Sequence, residues 1–126
     1  MKNQIITKPS KTFEDLEVWQ KSRELTLQIY KLTKKFPPEE RYGLASQMRR
    51  AVISVSSNIA EGFARQQTKD KEHFYVMASG SLSELLSQLV VSSDLGYISS
   101  DELERTREML VSNRQYLLAL LRAHRS

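Results

Sequence analysis

Apolar side chains recur at intervals of three and four along nearly the whole chain, and only three places interrupt them. That is the period by which an α-helix lines one face, whereas a half-buried strand alternates every second residue. No stretch sustains period two, so the sequence predicts an all-α protein. The interruptions are Pro37-Pro38 after Phe36, Gly62 with the polar run before Thr68, and Gly96. Four glycines and three prolines in 126 residues permit long helices joined by short turns. The length suits one domain with a single core.

The first helix is expected from about Glu14 to Lys35. Val18, Leu25, Ile29, Leu32 and Phe36 form its apolar line, Ser22 fills the gap, and Trp19 and Tyr30 widen the stripe. Pro37 ends it, because the residue before a proline is pushed out of helical geometry. The second should begin near Glu39 or Glu40, whose carboxylates suit the positive end of a helix dipole. It carries Leu44, Met48, Val55 and Ile59, with small Ala51 between them, and is expected to stop at Gly62 in a left-handed cap. The third starts after Thr68 as N-cap, turns Phe74, Ala78, Ser81, Leu85 and Leu89 inward with Leu82 and Leu86 beside them, and ends at Gly96.

Ser99 and Glu102 have capping-box spacing and open the fourth helix, along which Leu103, Leu110, Leu117 and Leu121 repeat. Helices of about 20–25 residues measure about 30–37 Å, and short connections make neighbours antiparallel. The expected architecture is an antiparallel up-down four-helix bundle over residues 13–126, preceded by a flexible N-terminal arm at 1–12.

Catalytic and metal-binding patterns are missing. There is no cysteine, hence no disulfide framework or thiolate zinc site, and a reducing cytoplasm is the expected compartment. The start of the chain has no signal-peptide core and no apolar run approaches the roughly 18 residues of a membrane span. His73 and His124 stand far apart, and no Glu-x-x-His pair encodes a di-iron site. The glycines at 43, 62, 80 and 96 are isolated, and no serine lies in a nucleophile elbow. The expectation is a protein without enzymatic activity, cofactor or metal.

The polar residues are more informative. Gln47, Arg50, Ser54, Asn58 and Glu61 step along the second helix as a stripe beside the apolar one. This is either a solvated face or a hydrogen-bonding seam against another helix or subunit. Gly80 costs the third helix roughly 1 kcal/mol relative to alanine, which suggests close approach of another backbone, and Glu84 is a candidate partner for Arg50.

The chain carries a net charge of +4 and a pI near 9.4, a balance that favours polyanions. Arg107, Arg114 and Arg125 fall nearly on one line of the fourth helix with Arg122 close by. Either their stems cover the core's rim while their heads stay wet, or they form a track for phosphates. Arg49, Arg65, Lys69 and Lys71 would supplement such a track around the second loop. Lys31, Lys34 and Lys35 complement the dipole at the end of the first helix.

Phe13-x-x-Leu16-x-Val18-Trp19, Ile29-Tyr30, Phe36-Pro37 and Glu40-x-Tyr42-Gly43-Leu44 form a recognisable opening. Gln47-x-Arg49-Arg50-Ala51, Ser54, Asn58-Ile59-Ala60-Glu61-Gly62, Ala78-x-Gly80-Ser81, Glu84-Leu85 and Leu95-Gly96-Tyr97 continue it. From about Phe13 to His124 the chain resembles the four-helix-bundle family first named for reading frames in intervening sequences of 23S ribosomal RNA genes. The accessory variability protein of diversity-generating retroelements is a relative of that family. Val52-Ile53 and Ser56-Ser57 stand where the pattern favours alanine and proline.

The resemblance implies a ring-shaped homopentamer with a positively charged surface or channel, and the retroelement relative binds nucleic acid and a reverse transcriptase. Carried onto this chain, Arg49, Arg50 and Arg65 are implied contributors to basic surface, while Asn58, Glu61 and Glu84 look structural. The expected function is an oligomer binding RNA or DNA by phosphate contacts through Arg49, Arg50, Arg65, Arg107, Arg114, Arg122 and Arg125. The alternative is a protein-interaction scaffold that touches no nucleic acid, marked by exposed apolar residues such as Ile53, Val76 and Met109.

Overall fold

The computed structural model describes residues 11–125, with side chains through residue 123. Four helices make up the fold: α1 (Glu17–Thr33), α2 (Leu44–Ala64), α3 (Thr68–Asp94) and α4 (Ser100–Arg125). Single 3-10 turns at Phe13–Asp15 and Pro38–Glu40 precede α1 and α2. Each helix packs on its neighbour in sequence and α1 closes onto α4, while α1–α3 and α2–α4 lie diagonally. This is the antiparallel up-down bundle. Apart from its last two residues, the expected N-terminal arm lies outside the described residues.

The core follows the period of the sequence. Val18, Leu25, Ile29 and Leu32 of α1 meet Met48, Val52, Val55 and Ile59 of α2, Leu82, Leu85 and Leu89 of α3, and Leu110 and Leu117 of α4. Full burial of each such side chain contributes roughly 1.5–3 kcal/mol. α2 and α3 pack most intimately, and small residues are the reason: Ala51 and Gly62 on one, Ala78 on the other, all buried. Ser54 and Ser81 join hydroxyls across the seam at 2.9 Å, and Asn58 donates to the Ser54 hydroxyl at 3.0 Å and its carbonyl at 2.8 Å. The polar stripe of α2 is therefore a seam only at Ser54 and Asn58; Gln47, Arg50 and Glu61 face solvent.

Several local expectations are corrected. Glu39 and Glu40 form a separate turn, and α2 starts at Leu44. Glu40 still serves α2's N-terminus: the Leu44 amide donates to its Oε1 at 3.0 Å and the Tyr97 hydroxyl to its Oε2 at 2.9 Å. These bonds hold its carboxyl below the ordinary value of 4.5. Thr68 is the first helical residue, and Gln67 is the N-cap.

Gly62 does not cap α2, which continues to Ala64. A Cβ there would stand 2.6 Å from Cε1 of buried Tyr75, so the glycine is required by a close approach. Gly80 has the opposite status, since its Cβ would meet nothing within 4 Å among the described residues. Gly96 alone among the described residues has a positive φ, 80°, and it lies just past the end of α3 as expected.

The capping box of α4 is formed: the Ser99 amide donates to Glu102 Oε1 at 2.9 Å and the Glu102 amide to Ser99 Oγ at 3.1 Å. Lys35 pairs with the other oxygen of Glu102 and ties the end of α1 to the start of α4. By length and mean hydropathy α3 could cross a bilayer, yet Tyr75, Ala78, Leu82, Leu85 and Leu89 are buried in the bundle. Its apolar character reaches the outside as well, where Val76, Met77 and Val91 are exposed.

One polar group in the core lacks compensation. Asn113 of α4 is fully buried, and neither its Oδ1 nor its Nδ2 has a hydrogen-bond partner among the described residues. An unpaired buried amide costs about 1–3 kcal/mol. Asn113→Leu is expected to raise the thermal midpoint by roughly 4–8 °C, followed by circular dichroism. An unchanged or lower midpoint would show that the amide is satisfied in solution.

Candidate nucleic-acid interface

α4 presents its basic residues along the outside of the bundle. From Arg107 to Arg122 the rise is about 22 Å. Arg107 approaches Glu104 at 3.7 Å, a partly exposed pair too long for a hydrogen bond and worth little. Arg114 reaches α3 and donates to Ser83 Oγ at 2.5 Å, which fixes its head at the α3–α4 seam. Arg122 is exposed and makes no ion pair among the described residues. Arg125 ends α4, its side chain outside the described residues. From Met109 onward the chain contains no Asp or Glu, so this half of α4 is uniformly positive.

The other expected cations do not join that track. Arg49 and Arg65 sit near opposite ends of α2, about 24 Å apart by helical rise. Arg65 pairs with Glu61 at 2.9 Å and lies over the Phe74 ring at 4.7 Å. Lys71 donates its ammonium to the carbonyls of Phe63 at 2.8 Å and Gly62 at 3.3 Å, closing α2's C-terminus, and burial pushes its pKa down. Arg50 is exposed and forms no pair with Glu84, which instead accepts a bond from Gln88 at 3.4 Å. Arg49 is braced against α1: its Nε donates to Thr33 Oγ1 at 2.8 Å, and its guanidinium lies 4.5 Å from the Tyr30 ring centroid.

Arg49 belongs to a different grouping. A cavity of about 550 Å³ opens where α1 turns through Pro37-Pro38 into α2. Lys34, Arg41 and Arg49 converge on it from three elements, Phe36, Pro37 and Pro38 wall it, and Tyr42 stands at its edge. No carboxylate lines it. Reading the sequence assigned Lys34 to the helix dipole and passed over Arg41. The available signal was a basic residue adjoining an aromatic one in a turn, Arg41-Tyr42.

The described residues hold no cluster of three or more His, Asp or Glu suited to a metal. A family model described as 23S rRNA-intervening sequence protein matches residues 14–119. The chain belongs to that family. The chain is similar to a crystal structure titled as a protein with unknown function from the S23 ribosomal protein family, from Bacteroides thetaiotaomicron. The two share 21% identity and a TM-score of 0.77, over 82% of this chain and 97% of that one. At that identity the likeness speaks for the fold alone. No curated protein matches the chain.

Neither description names a reaction. Within the family block, Gly62 and Ser54 serve the packing of α2 on α3, Asn58 holds the Ser54 hydroxyl from within α2, and Arg49 serves the packing of α2 on α1.

Proposed function

We propose that this family member is a non-enzymatic oligomer that binds RNA or DNA through its basic surface. The observation that carries the reading is the stretch of α4 from Met109 onward, which has arginines and no carboxylate. Self-association is supported by α3, whose outward side combines Gly80 with exposed Val76 and Met77. A glycine with open space around its Cβ has no packing reason inside one chain, and a neighbouring subunit supplies one. The family resemblance suggests five copies in a ring.

Binding through phosphates displaces condensed counterions, so affinity falls steeply with salt. For about four phosphate contacts the expected loss between 50 and 200 mM salt is roughly 10²-fold. Light scattering with and without a mixed-sequence RNA, at both salt concentrations, reads assembly and binding together. An affinity indifferent to salt would rule out this mode. Exposed Ile53 and Val76 also suit a protein-interaction scaffold, whereas Met109 packs against the core. An oligomer that ignores RNA and DNA at 50 mM salt would favour the scaffold.

A further inference from the structure

Tyr42 is 89% exposed, far more than any other large apolar or aromatic residue described, and its ring makes no contact with another ring or cation among the described residues. Burying an aromatic ring is favourable, so a side chain held this far out forgoes stabilisation available elsewhere in the fold. Its setting is chemically specific. Next to it lies the cavity of about 550 Å³, within the range of roughly 300–1,000 Å³ typical of small-ligand sites. The cations that converge there have few anions to satisfy them. Glu40, the acidic residue nearest in sequence to both Arg41 and Tyr42, has one carboxylate oxygen on the Leu44 amide and the other on the Tyr97 hydroxyl. Lys35 has Glu102 as partner, whereas Lys34 and Arg41 form no ion pair among the described residues.

We propose that this corner is a subsite for an unpaired nucleotide, with the base stacked on Tyr42 and its phosphate held by Lys34 and Arg41. This deepens the nucleic-acid reading above and presupposes it. Arg49 supplies the rear of the site. Two of its five N–H donors are engaged with Thr33 and the Tyr30 carbonyl, which braces the guanidinium and leaves three donors outside those bonds on a residue that lines the cavity.

The walls are stiff, since Pro37 and Pro38 restrict the backbone and Phe36 is buried against Tyr97 with ring centroids 5.1 Å apart. A ring offered for stacking beside fixed cations is how single strands are held without sequence choice. A base inside a duplex has both faces covered and cannot use Tyr42. The corner therefore distinguishes single from double strands, whereas the arginines of α4 read phosphates in either.

The test is fluorescence anisotropy with a labelled 12-nucleotide single-stranded RNA and the matching 12-base-pair duplex at 50 mM salt. Tyr42→Ala is expected to weaken binding of the single strand by about tenfold and to leave the duplex unchanged, whereas Tyr42→Phe keeps both. The ring is outside the core, so circular dichroism of both variants should match the parent protein. If the parent binds RNA and Tyr42→Ala binds the single strand equally well, the subsite is wrong and the nucleic-acid reading stands. If the parent binds neither RNA, both are wrong.

Discussion

Reversing charge at Arg107 and Arg114 together (Arg107→Glu with Arg114→Glu) should weaken nucleic-acid binding about a thousandfold at low salt and leave the helices intact. At about 4 Å in water, attraction between two unit charges is about 1 kcal/mol, and reversal turns each attraction into a repulsion of similar size. Two such changes of about 2 kcal/mol amount to roughly three decades in affinity. These heads are half-buried, with the Nε of each enclosed and unpartnered among the described residues, and they make few bonds to the rest of the fold. Arg107 has only the 3.7 Å approach to Glu104, and Arg114 has one bond to Ser83 at the bundle's surface. Losing such a bond costs about 0.5–1.5 kcal/mol.

Titrations at 50 and 200 mM salt should also show the dependence on salt flattening, because fewer counterions are released. Unchanged affinity would remove α4 as the binding surface. A loss of helix content would mean that the stems, not the charges, are what the fold needs.

The architecture was legible because helix number, order and inward faces depend on period and punctuation, both local properties. Leu110 and Leu117 are inside for the same reason that their spacing predicts. The capping box at Ser99 and Glu102 is likewise local and formed as the spacing requires. What failed depended on partners distant in the chain. Glu40 looked like a first-turn residue of α2, yet its place is set by Tyr97, 57 residues away.

The expected pairing of Arg50 with Glu84 needed a register between helices that residue types do not encode. The cavity at Pro37-Pro38 was invisible for that reason too: Lys34 comes from the end of α1, Arg41 from the turn and Arg49 from within α2. Most of the arginines singled out by residue type do lie on the surface, but the bundle scatters them. Arg65 is neutralised by Glu61, and Arg49 faces a corner remote from the α2–α3 turn.

Two mid-chain glycines should respond oppositely to the same substitution. Both lie inside helices, where alanine is favoured over glycine by roughly 1 kcal/mol. At Gly62 that gain is overwhelmed. The new Cβ would sit 2.6 Å and 2.9 Å from ring carbons of Tyr75 and 3.2 Å from Phe74 Cβ. Tyr75 is 1% exposed, and a ring in a close-packed interior has little free volume into which to retreat. α2 and α3 must separate locally, at a cost of about 1–3 kcal/mol.

With the propensity term included, Gly62→Ala is expected to lower the thermal midpoint by roughly 4–8 °C. Gly80→Ala meets nothing among the described residues and should raise the midpoint of the dissociated protein by about 4 °C. Its penalty, if α3 faces a neighbouring subunit, is confined to assembly and appears as a midpoint that does not rise with protein concentration as the parent's does in the oligomeric range. Melting curves at two concentrations separate the two roles. Equal midpoints for the two variants would mean that the Gly62–Tyr75 contact does not hold α2 against α3, and the tightest seam of the bundle would have to be sought elsewhere.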